Sequence, residues 1–459
     1  MAKRITKSIF KTSSLSCQNK PSTCSILRRQ STYTPAPSHA VSIKPTELSC
    51  SPLARLPTSS ILRSLFLSIF FTNAALFRPG LAIFGKIANS RSAWLNPDNN
   101  PLIRPITRKL IYDQFCAGKN RDEISNTSSM IRDQGFTGIA LTYGREVQLD
   151  KHNKTHGCQK SQEVEIEEWK NGNLETIDMI GRGDWLALKF TGAGVCITEA
   201  LREGKPVPAQ FMQAMDEICK GIAAKNCRIW VDAEQQALQK SIDSWTFDLM
   251  RRYNIGGQLL IYSTVQAYLK SSRDKVQRQL ELAAKEGWRS GIKLVRGAYI
   301  ANDQRSLIHD TKADTDASYN GIVDDLLRGR NFPIFASQPD LKFDLLLAGH
   351  NSKTIRTAAK LANELASAGQ LKVIPEFAQL QGMADDIGCE LVQMGDDMVK
   401  ENPNTLFVPR VYKCLTWGSI QECMQYLLRR LVENRGAADR MKEGAVQLRQ
   451  ELRRRLVGF

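Results

Sequence analysis

From about Tyr112 onward, short apolar runs rich in β-branched residues alternate with stretches of helical periodicity. No other feature constrains the fold as much. The strand candidates are GFTGIALTY (135–143), WLALKFTG (185–192), CRIWVDAE (227–234), LLIYSTVQAY (259–268), GIKLVRGAYI (291–300), DLLLAGH (344–350), LKVIPEF (371–377) and TLFVPRVY (405–412). Between most of them lie amphipathic patterns such as AQFMQAMDEICKGIAAK and TIRTAAKLANELASAG. Eight strands separated by helices predict an α/β protein with a (β/α)8 TIM-like barrel. A doubly wound open sheet competes, but no GxGxxG fingerprint follows the first strand. The acidic, polar segment 150–178 reads as an insertion after that strand.

The front of the chain has a different character. Residues 1–100 hold thirteen Lys and Arg against two acids, Glu47 and Asp98, so most of the net charge of +16 belongs to them. A nucleic-acid-binding body would carry its charge on a folded face, so no such partner is expected. Residues 1–60, rich in Ser, Thr, Lys, Arg and Pro, have the composition of a disordered mitochondrial transit segment. Residues 61–87 are apolar, interrupted by Arg63, Asn73, Arg78 and Pro79. The run between charges at 64–77 is shorter than the ~20 residues a spanning helix needs. An interfacial anchor and a hydrophobic hairpin packed on the body are the two readings. The expected division is therefore 1–60 targeting, 61–111 membrane-associated and 112–459 barrel with C-terminal helices.

The eleven cysteines are scattered and form no CxxC, which argues for reduced thiols rather than a disulfide framework or a zinc site. The five histidines show no metal-ligand spacing, and His152 and His156 read as loop residues. No metal is expected.

In such a barrel the site lies at the C-terminal ends of the strands. The polar residues placed there are Lys189, Asp232, Glu234, Gln266, Lys293, Arg296, Tyr299, His350 and Glu376. They form a mixed-charge cluster with an amide and contain no Ser/His/Asp or Cys/His set. That points to an anionic ligand and a cofactor, and away from hydrolysis. Gly297 and Ala298 would let backbone approach a ligand closely. Later, YLLRRLVEN (426–434) read as a helix places Tyr426, Arg429, Arg430 and Glu433 on one side. Two adjacent guanidiniums suit a small carboxylate, with Glu433 one turn beyond. A solvated basic face is the competing reading.

Six motifs now stand in order: VDAE (231–234), VQAY (265–268), KLVRGAY (293–299), AGHN (348–351), EFAQLQGM (376–383) and YLLRRLVEN. Together they resemble proline dehydrogenase, the flavoenzyme of proline catabolism, over about residues 110–440. AGKN (117–120) and the basic leader give the look of the fungal mitochondrial branch. The resemblance implies a distorted barrel that holds FAD non-covalently, with the last helix over its mouth. It implies oxidation of L-proline to 1-pyrroline-5-carboxylate by hydride transfer to flavin. Electrons would pass on to quinone, at the matrix side of the mitochondrial inner membrane. By the same resemblance, Asp232 and Lys293 are catalytic. Lys189, Leu294, Tyr299, Cys414, Arg429, Arg430 and Glu433 would meet the imino acid. Ala233, Gln266, Arg296, Gly297, Ala298, Gly349 and His350 would meet the flavin.

One departure stands out. The family reads Tyr-x-Pro-x-Gly before its last helix, and this chain has Cys414, Thr416 and Gly418 there. The missing tyrosine opens two alternatives: a hydroxyproline dehydrogenase on the same scaffold, or weakened activity on proline. From another class comes a non-catalytic barrel at a membrane surface.

Overall fold

The structure is a computed structural model that describes residues 51–90, 92, 94–149, 161–433 and 437–457. Eight parallel strands close into a barrel in chain order: β1 (Gly138–Tyr143), β2 (Trp185–Leu188), β3 (Arg228–Val231), β4 (Ile261–Gln266), β5 (Ser290–Val295), β6 (Phe343–Ala348), β7 (Pro375–Leu380) and β8 (Arg410–Trp417). The closing seam pairs β1 with β8 from Gly138 opposite Tyr412 to Tyr143 opposite Trp417. Most strand residues are buried on both faces, which is why these segments read as near-continuous apolar runs.

Several strand boundaries differ from the sequence reading, three of them for reasons that matter here. β2 stops at Leu188 because Phe190–Ala193 tighten into a 3-10 turn that ends on Gly194. β7 and β8 both run further toward their C-terminal ends than expected. In β8 the run was read from Thr405, but Pro409, with no N–H to donate, precedes the first paired residue. Finally, 161–178 is no insertion. Gln162–Met179 is the helix between β1 and β2, burying Ile166, Trp169 and Ile177. Residues 150–160, with His152 and His156, lie outside the described residues.

Side-chain alternation fills the barrel interior in layers. At the N-terminal end, Arg228 donates to both oxygens of Glu376 (2.7 and 3.0 Å) and to the hydroxyls of Tyr262 (3.2 Å) and Tyr412 (3.1 Å). Its guanidinium lies 3.9 Å from the centre of the Trp185 ring. This corrects the expected place of Glu376. As the second residue of β7 it plugs the end of the barrel away from the mouth.

Before the barrel come α1 (Thr58–Thr72) and α2 (Ala74–Ala88), with Asn73 accepting from the Ala75 N–H (3.0 Å) to start the second. Ile61 and Leu65 of α1 join the core that also holds Ala445 and Leu448 of the C-terminal helix Ala437–Val457. Arg455 of that helix donates to the carbonyls of Leu53 (3.2 Å), Ala54 (3.2 Å) and Leu56 (2.8 Å) just ahead of α1. Phe84, Ile87 and Ala88 of α2 pack instead with Ile420, Met424 and Leu427 of helix Ile420–Glu433. Asp98 caps that helix, accepting from the N–H groups of Ile420 (2.9 Å) and Gln421 (3.0 Å).

Candidate active site

One cavity opens at the C-terminal ends of the strands. Its lining includes Lys189, Asp232, Ala233, Gln266, Lys293, Arg296, Gly297, Ala298, Tyr299, Gly349, His350 and Cys414. The strand period of two selects them: Trp230 and Asp232, Thr264 and Gln266, Lys293 and Val295 face inward in pairs. The same alternation removes Leu294, a correction to its expected role. Its neighbour Lys293 faces the cavity, so Leu294 points outward into the core between barrel and helices. Tyr426 brings helix Ile420–Glu433 to the cavity, as a helix over the mouth requires. The side chains of Arg429, Arg430 and Glu433 on that helix lie outside the described residues.

The floor of the cavity is a charge relay. Lys293 Nζ donates to Asp232 Oδ1 at 2.7 Å, and Lys189 Nζ lies 3.3 Å from Asp232 Oδ2. Burial opposes ionisation of Asp232, but the charges of Lys293 and Lys189 and their hydrogen bonds hold its carboxyl down at about 2. Burial likewise opposes the charge on Lys189, yet Glu146, Tyr299, Asp232 and Glu234 raise it well above the ordinary lysine value. Lys189 also donates to the Tyr299 hydroxyl (3.3 Å), which donates to Glu146 Oε1 (2.8 Å). The Lys293 ammonium sits 4.0 Å above the Trp230 ring, an electrostatically favourable seat for a cation.

Behind the relay lies Glu234. Its carboxyl accepts from the Thr191 N–H (3.2 Å) and hydroxyl, and burial pushes it up to about 7. It does not line the cavity.

The opposite wall is built for close approach. Arg296 donates from Nε to Asp316 (2.8 Å) and from Nη2 to Thr354 (2.8 Å), and packs over Tyr319. Its Nη1 is buried and has no partner among the described residues. A Cβ on Gly349 would stand 3.5 Å from that nitrogen, so the glycine leaves the donor open. Gly297 has φ +138°, and a Cβ there would strike the Tyr268 ring at 2.2 Å. Gln266 accepts from the Ala298 N–H (3.4 Å) and His350 Nε2 accepts from the Leu380 N–H (3.0 Å), fixing both loops.

The profile of the proline dehydrogenase family matches residues 124–443. The chain belongs to the proline dehydrogenase family. It is similar to a probable mitochondrial proline dehydrogenase of Schizosaccharomyces pombe, 31% identical over 77% of this chain and 81% of that one. A hydroxyproline dehydrogenase of Bos taurus is 26% identical over 77% of this chain and 82% of its own. Among solved structures, proline utilization A from Bdellovibrio bacteriovorus superimposes with a TM-score of 0.60 at 17% identity, over 84% of this chain. This chain spans 41% of that longer protein, and the likeness is one of fold.

Several residues around this proline dehydrogenase-family cavity were not singled out by the sequence reading. Trp230 stands two positions before Asp232, so strand alternation alone could have found it. Lys312 and Asn351 line the cavity from the starts of their helices, and Glu146 reaches Tyr299 from the loop after β1. Asn351 closes the AGHN motif, whereas no signal in the sequence distinguishes Lys312 and Glu146 from ordinary surface residues.

Proposed function

We propose that this enzyme oxidises L-proline to 1-pyrroline-5-carboxylate, using FAD held at the barrel mouth and quinone as electron acceptor. The observation that carries the reading is the Lys293–Asp232–Lys189 relay facing, across one cavity, an Arg296 donor with no partner among the described residues. The residues present fit a flavin. The open Nη1 of Arg296, the bare Gly349 and the Gly297–Ala298 loop suit a planar ring system bearing hydrogen-bond acceptors, with a phosphate tail. Gln266, Ala233 and His350 complete that side. When bound, the flavin supplies the redox chemistry by accepting hydride from the ring carbon beside nitrogen.

The rest is the work of this chain. Lys189, kept charged by its acidic neighbours, takes the substrate carboxylate, and Tyr299 holds the lysine in place through Glu146. Arg429 and Arg430, three and four residues after the cavity-lining Tyr426, are assigned to the same carboxylate, with Glu433 steadying one of them. Fixing the ring by its carboxylate removes rotational freedom before reaction. The substrate amine must be neutral to give up hydride, and the cations Lys189 and Lys293 favour its deprotonated form. Asp232 stays ionised at neutral pH and holds both lysines in position.

One observation favours a second substrate. Cys414 lines the cavity where Ala140, Ala187 and Ala378 also present small side chains, leaving room for a ring hydroxyl. Hydroxyproline is therefore a second candidate. We assign the chain to the mitochondrion, at the matrix side of the inner membrane, on its basic leader and the mitochondrial name of its relative.

The test is the visible spectrum of the purified chain under anaerobic conditions. Yellow protein that releases FAD on denaturation and bleaches with proline or hydroxyproline supports the reading. Colourless protein that FAD cannot reconstitute overturns it, and bound flavin that no imino acid bleaches supports a barrel without turnover.

A further inference from the structure

Exposed apolar side chains are concentrated in one part of this molecule. Among the described residues, nine of the twenty-one large exposed apolar side chains fall within 62–106, about a tenth of the chain. On α1, Leu62, Phe66 and Ile69 follow the i, i+4, i+7 spacing of a single stripe, and each is about half exposed (51%, 50% and 51%). On α2, Leu76 and Ile83 are seven residues apart and 45% and 60% exposed. Trp94, just beyond, is 83% exposed, a residue type enriched where membrane meets water. Soluble surfaces tolerate scattered apolar residues, but a run of this density marks a docking surface.

Charge decides the occupant. No acid occurs from Ser51 to Pro97, while Lys86 stands exposed one turn beyond Ile83 and Arg78 is exposed on another side of α2. Apolar helices that carry cations and no acid complement an anionic phospholipid surface. Neither helix is long enough to cross a bilayer, and the pair bends by 106° between them, which suits lying on a membrane.

The inner faces are already committed. α1 packs on helix Ala437–Val457, and α2 packs on helix Ile420–Glu433, whose Tyr426 lines the cavity. We propose that the outer face of α1 and α2 docks flat on an anionic phospholipid bilayer and thereby seats the helix at the mouth of the active site beside the lipid. The inference builds on the membrane placement proposed above and names the surface that performs it. It gives a lipid-dissolved acceptor a short route to the site.

The experiment compares the full chain with the variant Phe66→Glu, Ile69→Glu, Ile83→Glu, all exposed positions outside the cavity. Both are mixed with phosphatidylcholine vesicles, with or without an anionic phospholipid, and sedimented. The wild-type chain is expected to sediment with the anionic vesicles. It should stay bound at about 1 M salt, where charge attraction reaches only ~3 Å and apolar insertion persists. The variant should lose at least tenfold in bound fraction while reducing a soluble dye at the wild-type rate. Its turnover with a vesicle-embedded quinone should fall. A variant that sediments like wild type overturns the assignment, as does wild-type chain that ignores anionic vesicles. Lipid-free wild type that dimerises through this face, with the variant monomeric and vesicle binding unaltered, also overturns it. Sedimentation needs no turnover, so a chain that oxidises no imino acid still answers for the surface.

Discussion

Arg228 and Glu376 join strands β3 and β7, opposite one another in the closed barrel, through hydrogen bonds of 2.7 and 3.0 Å. The pair closes the end of the barrel remote from the chemistry. It takes two charges out of water and offsets that cost with a full set of partners, including the Tyr262 and Tyr412 hydroxyls.

Removing one member should therefore be costly. Glu376→Ala leaves a largely buried guanidinium without its counter-ion, and we expect about 2–4 kcal/mol of destabilisation by chemical denaturation. Arg228→Met with Glu376→Leu should be closer to wild type than either single change. Equal losses in the double and single variants would mean that the pair is not the source of the stability.

At the mouth, Asp232→Asn removes the charge shared by Lys293 and Lys189. Losing a charge-assisted hydrogen bond costs about 1.5–3 kcal/mol, so kcat/KM for the imino acid should fall ~10- to 150-fold. Flavin content should stay near wild type, since Arg296 and the Gly297–Ala298 loop are untouched. Unchanged steady-state kinetics in the variant would remove Asp232 from the catalytic set.

Glu234 gives the chain a pH-dependent stability. Its folded carboxyl titrates at about 7, above the ordinary glutamate value of 4.5. Between those values the folded state keeps a proton that the unfolded state has released. Stability should therefore fall as pH rises through that window and level off above it. The effect is on the order of 1–3 kcal/mol. Glu234→Gln, which keeps an acceptor for Thr191, should flatten the slope between pH 5 and pH 8 in denaturation curves.

Cys414→Tyr tests the space beside the substrate ring. A phenol ring there would add apolar contact to unsubstituted proline, about 1–2 kcal/mol at ~25 cal/mol per Å². It would also crowd a ring hydroxyl. The ratio of kcat/KM for hydroxyproline over proline should drop by roughly tenfold. A wild-type ratio already strongly favouring proline would remove the hydroxyproline reading.

The barrel was legible because its strands are buried on both faces and leave long apolar runs. Helix Gln162–Met179 was not, because its buried side includes Glu165, Asn173 and Thr176. Glu165 is satisfied there by the Val195 N–H (2.9 Å) and by Arg145 (3.6 Å), so a polar sequence hides an inward face. Glu376 was misplaced because its strand runs on to Leu380, turning an expected near-final residue into the second. Lys189, Asp232, Lys293 and Arg296 were legible as charged residues at strand ends. What composition could not give was their partners: Glu146, far off in sequence, and the glycine that leaves Arg296 Nη1 open.

The grip of Arg455 on the carbonyls of Leu53, Ala54 and Leu56 sets an order of assembly. α1 is the first described α-helix to be synthesised, yet the surface that buries Ile61 and Leu65 is shared with the last described helix, Ala437–Val457. Until that helix emerges, α1 has apolar side chains uncovered on both sides. A chain threaded through a pore from its N-terminus thus keeps its stickiest segment unshielded longest, and a nonsense mutation near residue 437 would leave it so permanently.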